Sequence, residues 1–277
     1  MIVPSSSRRL TFSRMTRPDI LEEARRVIEG ARAANVTIRV LGGVAISLHA
    51  NGRLHPALTR PYRDIDLVTM RKQGRPTAKL LTDLGYAANE RFNLMNGSTR
   101  LVFYDLANER QVDVFVGEFR MCHQIPIADR LELEDTTVPL AELLLTKLQI
   151  VELNHKDLID MWGIVHEHEV AEHDDDAINA ARIAELLAAD WGFWRTSRQS
   201  VEAARARLSE SELPEHDRSL IDERLRRLWE RVEAQPKGLR WRSRAKVGDR
   251  GKWYEEPEEI EHAAGRDRSG AGLPWSE

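Results

Sequence analysis

"RPYRDIDLVTM", residues 60–70, decides how the N-terminal half of the chain is read. The run alternates like a strand, yet it sets Asp64 and Asp66 on either side of Ile65. Side chains two apart in a strand share a face, with Cα atoms ~6.5 Å apart. Both carboxylates therefore point one way, while Ile65 and Leu67 can enter the core. Two like charges so close raise each other's cost of ionisation unless something positive meets them.

Upstream, "VTIRVL" (36–41) predicts a strand running into Gly42-Gly43 and a short helix, "VAISLHA". A strand–glycine–helix turn presents free backbone N–H groups and a positive dipole end, which suits a phosphate. Downstream, "TRLVFYDL" and "RQVDVFVG" predict a hairpin closed around "ANE". In its second strand Val112, Val114 and Val116 share one face, and Asp113 shares the other with Gln111 and Phe115. If this strand lies beside 60–70, three carboxylates converge. Such a cluster stays ionised only when cations neutralise it, and oxygen-rich clusters are what Mg²⁺ prefers. Two ions ~3.5–4 Å apart would allow an in-line displacement at phosphorus. A plainer reading has Asp64 opening a strand beside Arg63 and Asp113 facing solvent.

The remaining pattern is mostly helical. "ILEEARRVIEGARAANV" after Pro18-Asp19 predicts an amphipathic helix, and "TAKLLTDLG" another ending at Gly85. From Pro139 onward "LAELLLTKLQIVEL", "HKDLIDMWGIVHEH", "AINAARIAELLAADWGFWRTS" and "SLIDERLRRLWERVEA" all read as helices. The expected fold is α+β, a mixed sheet flanked by helices followed by an all-helical domain. The expected divisions are a basic arm at 1–17, the sheet domain at 18–130, the helical domain at 131–235 and a tail at 236–277.

At 277 residues and 42% hydrophobic, the chain has enough apolar content for a core, in one or two domains at roughly 150 residues each. Its 41 basic and 45 acidic residues nearly balance, which argues against a uniformly nucleic-acid- or membrane-coating surface. Cys122 is the only cysteine, so no internal disulfide can form and a reducing compartment fits. No apolar run approaches the ~20 residues that cross a bilayer, and the N-terminus lacks an apolar secretory core. Cytoplasmic placement without a membrane partner is the expectation.

"GGVAISLH", then "RDIDLV", then a later strand with a single Asp in "VDVFV" together resemble the polymerase-β superfamily of nucleotidyltransferases. The resemblance covers about residues 36–117. It implies a nucleotidyltransferase fold for the first half and an enzyme that moves a nucleoside monophosphate from an NTP onto a hydroxyl, releasing pyrophosphate. It further implies that Gly42 and Gly43 touch the triphosphate, and that Asp64, Asp66 and Asp113 hold two Mg²⁺ ions. Arg60 and Arg63, just before the acidic pair, are candidates for the triphosphate or for shielding Asp64. One departure is Val44, where many members carry Ser or Thr with a phosphate-binding hydroxyl.

In the second half Lys147 sits within the apolar stripe Leu140, Leu143, Leu144, Leu148 and Val151, where its charge needs a partner or a route to water. In "NHKDLIDM" Asp157 falls in a first helical turn, favourable for the dipole, and Asp160 is spaced to pair with Lys156. A Lys followed by "KDLxDM" resembles the AbiEii/MenT-type toxin nucleotidyltransferases. That resemblance implies that Lys147 contacts the triphosphate and Asp157 is an additional catalytic acid, with Asp160 structural. It also implies tRNA as acceptor and an antitoxin as protein partner. Antibiotic nucleotidyltransferases acting on aminoglycosides or lincosamides share the glycine turn and "DIDL", so the acceptor stays open. A non-catalytic RNA- or partner-binding module on the same fold is the competing class, and Val44 favours it.

The segment 237–252 carries seven Lys/Arg against Asp249 and interleaves them with Trp241 and Trp253, followed by Tyr254, a composition suited to RNA or to a solvated tail. "HEHEVAEHDDD" (166–176) lacks the H-E-x-x-H zinc spacing and reads as an acidic helix end. Cys122 and His123 are adjacent, so their side chains are not expected to face one another as a dyad. Trp162, Trp191, Trp194 and Trp229 fall on helices and are expected as core or interface anchors and not as base-stacking platforms.

Overall fold

The computed structural model describes residues 13–256, so Arg8 and Arg9 of the basic arm and residues 257–277 of the tail lie outside the described residues. Helix α1 (Ile20–Ala33) opens at Asp19, whose side chain accepts the Glu22 N–H, and buries Ala24, Val27, Ile28 and Ala31. Then come β1 (Ile38–Leu41), α2 (Gly42–Ala50), β2 (Asp64–Thr69), α3 (Gly74–Asp83), β3 (Ala87–Ala88), α4 (Glu90–Asn96), β4 (Arg100–Asp105) and β5 (Arg110–Val116). Sequence periodicity had not pointed to α4 or β3. α4 buries none of its residues, so it leaves no apolar stripe to read.

The five strands form one mixed sheet in the order β1-β2-β5-β4-β3. β2 and β5 run parallel, and the other pairs are antiparallel. This adjacency follows from the residues: Ile65, Leu67, Val112 and Val114 are all fully buried, so both strands need partners on each side. The parallel register sets Asp66 directly beside Asp113, and Asp64 beside Gln111.

The hairpin β6 (Phe119–Arg120) and β7 (Gln124–Ile125) leads to α5 (Leu140–Leu148) and α6 (His155–Glu167). The expected first helix of this half is shorter than its apolar pattern. It stops after Leu148, where the Ser200 hydroxyl, with its one proton, lies within donating distance of the Leu148 or Ile150 carbonyl. Residues 149–154 are thereby freed to form a loop. β8 (Val170–Ala171), β9 (Ile178–Asn179), α7 (Ala180–Ala189), α8 (Trp191–Ala206) and α9 (Glu215–Ala234) complete this region. The stretch expected as one helix across 177–197 breaks at Asp190, which ends α7 and caps α8 by accepting the Phe193 N–H.

A further helix, α10 (Leu239–Val247), lies within the stretch expected as a tail. The Trp241 indole donates to the Leu187 carbonyl at 3.1 Å, and Trp253 donates to Thr196 at 3.1 Å. These tryptophans pack against α7 and α8 instead of standing free to stack on bases. Trp162, Trp191 and Trp194 are buried as expected.

The chain is α+β, a five-stranded mixed sheet flanked by helices and joined to a C-terminal helical region. One hydrophobic core runs through both parts. α2 packs against α5 and α6 as well as β1 and β2, so it carries the helical region onto the sheet. Among the described residues no helix is long and apolar enough to cross a membrane.

Candidate active site

β1 ends at Leu41, which pairs with Asp66 across the antiparallel register. The next residue, Gly42, must turn the chain over the Asp66 side chain, and it does so at φ +69°. A Cβ at Gly42 would collide with the Asp66 carboxylate. Both the left-handed backbone and the close approach require glycine. At Gly43 a Cβ would lie 2.6 Å from the Arg60 guanidinium and from the Tyr62 ring, so its requirement comes from packing.

Asp64, Asp66, Gln111, Asp113, Phe115 and Arg100 line one wall of a cleft of about 460 Å³, with Gly42 at its edge. The facing wall comes from α5, the 149–154 loop and the start of α6, and includes Lys147, Glu152, Asn154 and Asp157. Asp64 is exposed and Asp66 half-buried, whereas Asp113 is only 4% exposed, so it does not face solvent. Burial, together with the charges of Asp64 and Asp113, pushes the Asp66 carboxyl up to about 8, against the opposing pull of Lys147 and Arg100.

The predicted residues separate into two layers. Asp64, Asp66, Asp113, Gly42, Lys147 and Asp157 share the cleft. Arg60 lies behind it, in a two-pronged bond to Asp160 at 2.8 and 2.7 Å, and its guanidinium covers the Tyr62 ring at 4.7 Å. Gly43 packs under that stack, and Arg63 is exposed outside the cleft lining. Asp160 does not pair with Lys156. Its side chain turns inward, 2% exposed, and holds Lys147 at 2.7 Å. Burial would raise the Asp160 carboxyl, but Arg60 and Lys147 outweigh it and hold it below the usual carboxylate range. Burial would likewise lower the Lys147 ammonium, and Asp160 and Asp157 overcome that to raise it. Lys147 is therefore a fixed cation at the cleft wall.

Asp157 stands 3.5 Å from Lys147 and also belongs to a capping box. Asn154 accepts the N–H groups of Lys156 and Asp157, and Asp157 accepts the Asn154 N–H at 3.2 Å. Asn154→Ala is expected to lower unfolding stability by about 1 kcal/mol, seen as a reduced urea midpoint with an unchanged slope.

Arg100 and Gln111 are additions of the structure. Arg100 contacts Asp113 Oδ1 at 2.9 and 2.6 Å, and the Gln111 amide donates to Asp113 Oδ2 at 2.6 Å. Gln111 was visible two places before Asp113 on the same strand face. Arg100 carried no signal, since only the β4–β5 register brings it there. His123 turns away from Cys122, bonding Thr196 at 2.8 Å and stacking on Phe193, so the two form no dyad.

The donor set suits a hard divalent cation. Three carboxylates line one cleft, Asp66 ionises reluctantly, and the buried Gln111 Oε1 beside them has no hydrogen-bond partner. Among the described residues no three His, Cys, Asp or Glu side chains form a ready-made metal group, and Asp113 is committed to Arg100. Asp64 and Asp66 are thus the donors open to a cation without rearrangement.

No family model matches the chain. No curated protein matches it significantly either. Among solved structures, an antigenic nucleotidyltransferase-like protein from Paracoccidioides brasiliensis is similar at 12% identity and TM-score 0.39, over 81% of this chain and 96% of that one. At that distance the likeness assigns no residue a role.

Proposed function

We propose that the cleft transfers a nucleoside monophosphate from an NTP to a hydroxyl acceptor. The observation that carries this reading is the convergence of Asp66 and Asp113 across the parallel β2–β5 pair, with Asp64 beside them and Lys147 and Asp157 opposite. The acceptor oxygen bonds to the α-phosphorus, the α–β bridging P–O bond breaks, and pyrophosphate leaves with the bonding electrons. Two Mg²⁺ ions held by Asp64, Asp66 and Asp113 would supply charge neutralisation at the phosphates and acidify the acceptor hydroxyl. In this reading Asp113, once its carboxylate leaves Arg100, receives the acceptor proton, and Lys147, held between Asp160 and Asp157, contributes positive charge for the triphosphate. Gly42 lets the backbone approach closely at the same wall. Arg63, on the segment leading into β2, is free to meet the outer phosphates.

RNA is the acceptor class we favour, with tRNA the first to test. A groove of about 1050 Å³ beside the start of β4 is lined by Arg71, Lys72, Arg75 and Lys79 together with Asp83 and Glu90; Arg71 pairs with Glu118 and Lys79 with Asp83, which leaves Lys72 and Arg75 to meet a phosphate backbone. Incubation with each α-labelled NTP, with and without total tRNA, should label the RNA with one or more nucleotides. Label on an aminoglycoside or lincosamide alone would instead assign a small-molecule acceptor. An antitoxin partner would follow only from growth arrest on expression that a neighbouring gene relieves.

A second reading, a non-catalytic binding module, is favoured by Val44, which is 1% exposed and offers no hydroxyl to a phosphate. Calorimetry decides between them, because the module predicts no Mg²⁺-dependent affinity for any NTP.

A further inference from the structure

Within the cleft the three strand carboxylates are treated unequally. Both oxygens of Asp113 are engaged, Oδ1 by Arg100 and Oδ2 by Gln111, whereas Asp64 and Asp66 have no hydrogen bond or ion pair among the described residues. The cleft also treats its cations unequally. Lys147 is held between Asp160 and Asp157, and Arg60 is locked on Asp160 behind the wall. Arg100 alone takes its partner from the strand carboxylates.

The surroundings of Arg100 suit a side chain that moves. Its guanidinium lies 5.2 Å from the Phe115 ring and 6.0 Å from the Phe92 ring, flat apolar walls that hold a cation without fixing it through hydrogen bonds. It borders two cavities at once, the cleft and a neighbouring one of about 310 Å³ lined by Arg120 and by Glu118, Glu255 and Glu256, whose carboxylates pair with Arg71, Arg120 and Lys252. Leaving Asp113 therefore opens onto the cleft, where Asp64 and the phosphates of a nucleotide are within reach, and not into the core.

We propose that Arg100 is the resting counter-ion of Asp113 and passes to the phosphates of the incoming nucleotide, freeing Asp113 for the divalent cation. This rests on the nucleotidyltransferase reading above. The exchange replaces one ion pair by two, guanidinium with phosphate and carboxylate with metal, so no buried charge is left without a partner at the end. Gln111 keeps Asp113 oriented throughout. The consequence is ordering: the cation binds poorly until a triphosphate draws Arg100 away.

The test compares wild type with Arg100→Gln in two titrations: Mn²⁺ alone, followed by electron paramagnetic resonance, and inorganic tripolyphosphate with Mn²⁺, followed by calorimetry. Arg100→Gln is expected to bind Mn²⁺ alone about 10-fold more tightly and tripolyphosphate about 10-fold more weakly, effects of opposite sign that a general loss of structure does not produce. Arg100→Lys keeps the charge but gives up the two-nitrogen contact to Asp113 and the packing on Phe115. It should therefore bind Mn²⁺ alone more tightly than wild type while holding tripolyphosphate within about threefold of it, and it carries the test should the Gln variant misfold. Mn²⁺ affinities within about twofold of each other, while wild type binds Mn²⁺ with tripolyphosphate, would overturn the role of Arg100 alone. Failure of wild type to bind Mn²⁺ even with tripolyphosphate would overturn the nucleotidyltransferase reading, and this proposal with it.

Discussion

Asp66→Asn is expected to abolish nucleotidyl transfer, by about 10³-fold or more, while making the protein more stable at neutral and alkaline pH. The loss of activity follows from removing a central oxygen donor: about 4 kcal/mol of lost transition-state stabilisation corresponds to that factor. The gain in stability follows from Asp66's surroundings. Its carboxyl is raised from 3.8 to about 8 by burial and by the charges of Asp64 and Asp113. The folded protein therefore keeps a proton that the unfolded chain has released over that range. Stability is fully present below about pH 4 and falls as pH rises towards 8. Asn carries no charge and removes that fall, so the variant gains most on wild type at the alkaline end of the range. Urea unfolding of both proteins in EDTA across pH 5–9 measures the difference. A variant that is inactive and less stable at every pH would show Asp66 to be a structural residue.

Gly42→Ala is expected to cost about 3 kcal/mol of stability and to remove activity with it. Two separable terms contribute: about 1–2 kcal/mol for a non-glycine residue in the left-handed region, and about 1–3 kcal/mol for forcing a methyl group against Asp66. The second term needs Asp66 and the first does not. In an Asp66→Ala background the cost of Gly42→Ala should therefore shrink to the backbone term alone. Equal costs in both backgrounds would mean that the carboxylate is not what the glycine accommodates.

Much of this site was legible before any coordinates. The period-two alternation of β2 and β5 already placed Asp64 with Asp66, and Asp113 with Gln111, on single faces, because strand geometry leaves no other choice. Glycine after β1 was readable as a tight turn. Lys147 could be recognised as a charge in need of a partner.

The identity of partners was not legible. Asp160 had Lys156 within helical reach, yet it went to Arg60 and Lys147, residues brought in from a loop and from another helix. Gly42 and Gly43 look alike in sequence, but one is required by Asp66 and the other by Arg60 and Tyr62. The tail's tryptophans suited a nucleic-acid surface until α10 packed Trp241 onto α7 and the stretch after it packed Trp253 onto α8.

The sequence by itself determined which carboxylates share a strand face, since that depends only on local backbone geometry. Only the tertiary structure decided which cation each paired carboxylate meets, because ion pairs across β4–β5 and between the loop before β2, α5 and α6 depend on register and packing. Arg100 on Asp113 is the plainest case. Thirteen residues and a hairpin separate them, and only the register of two strands makes them partners.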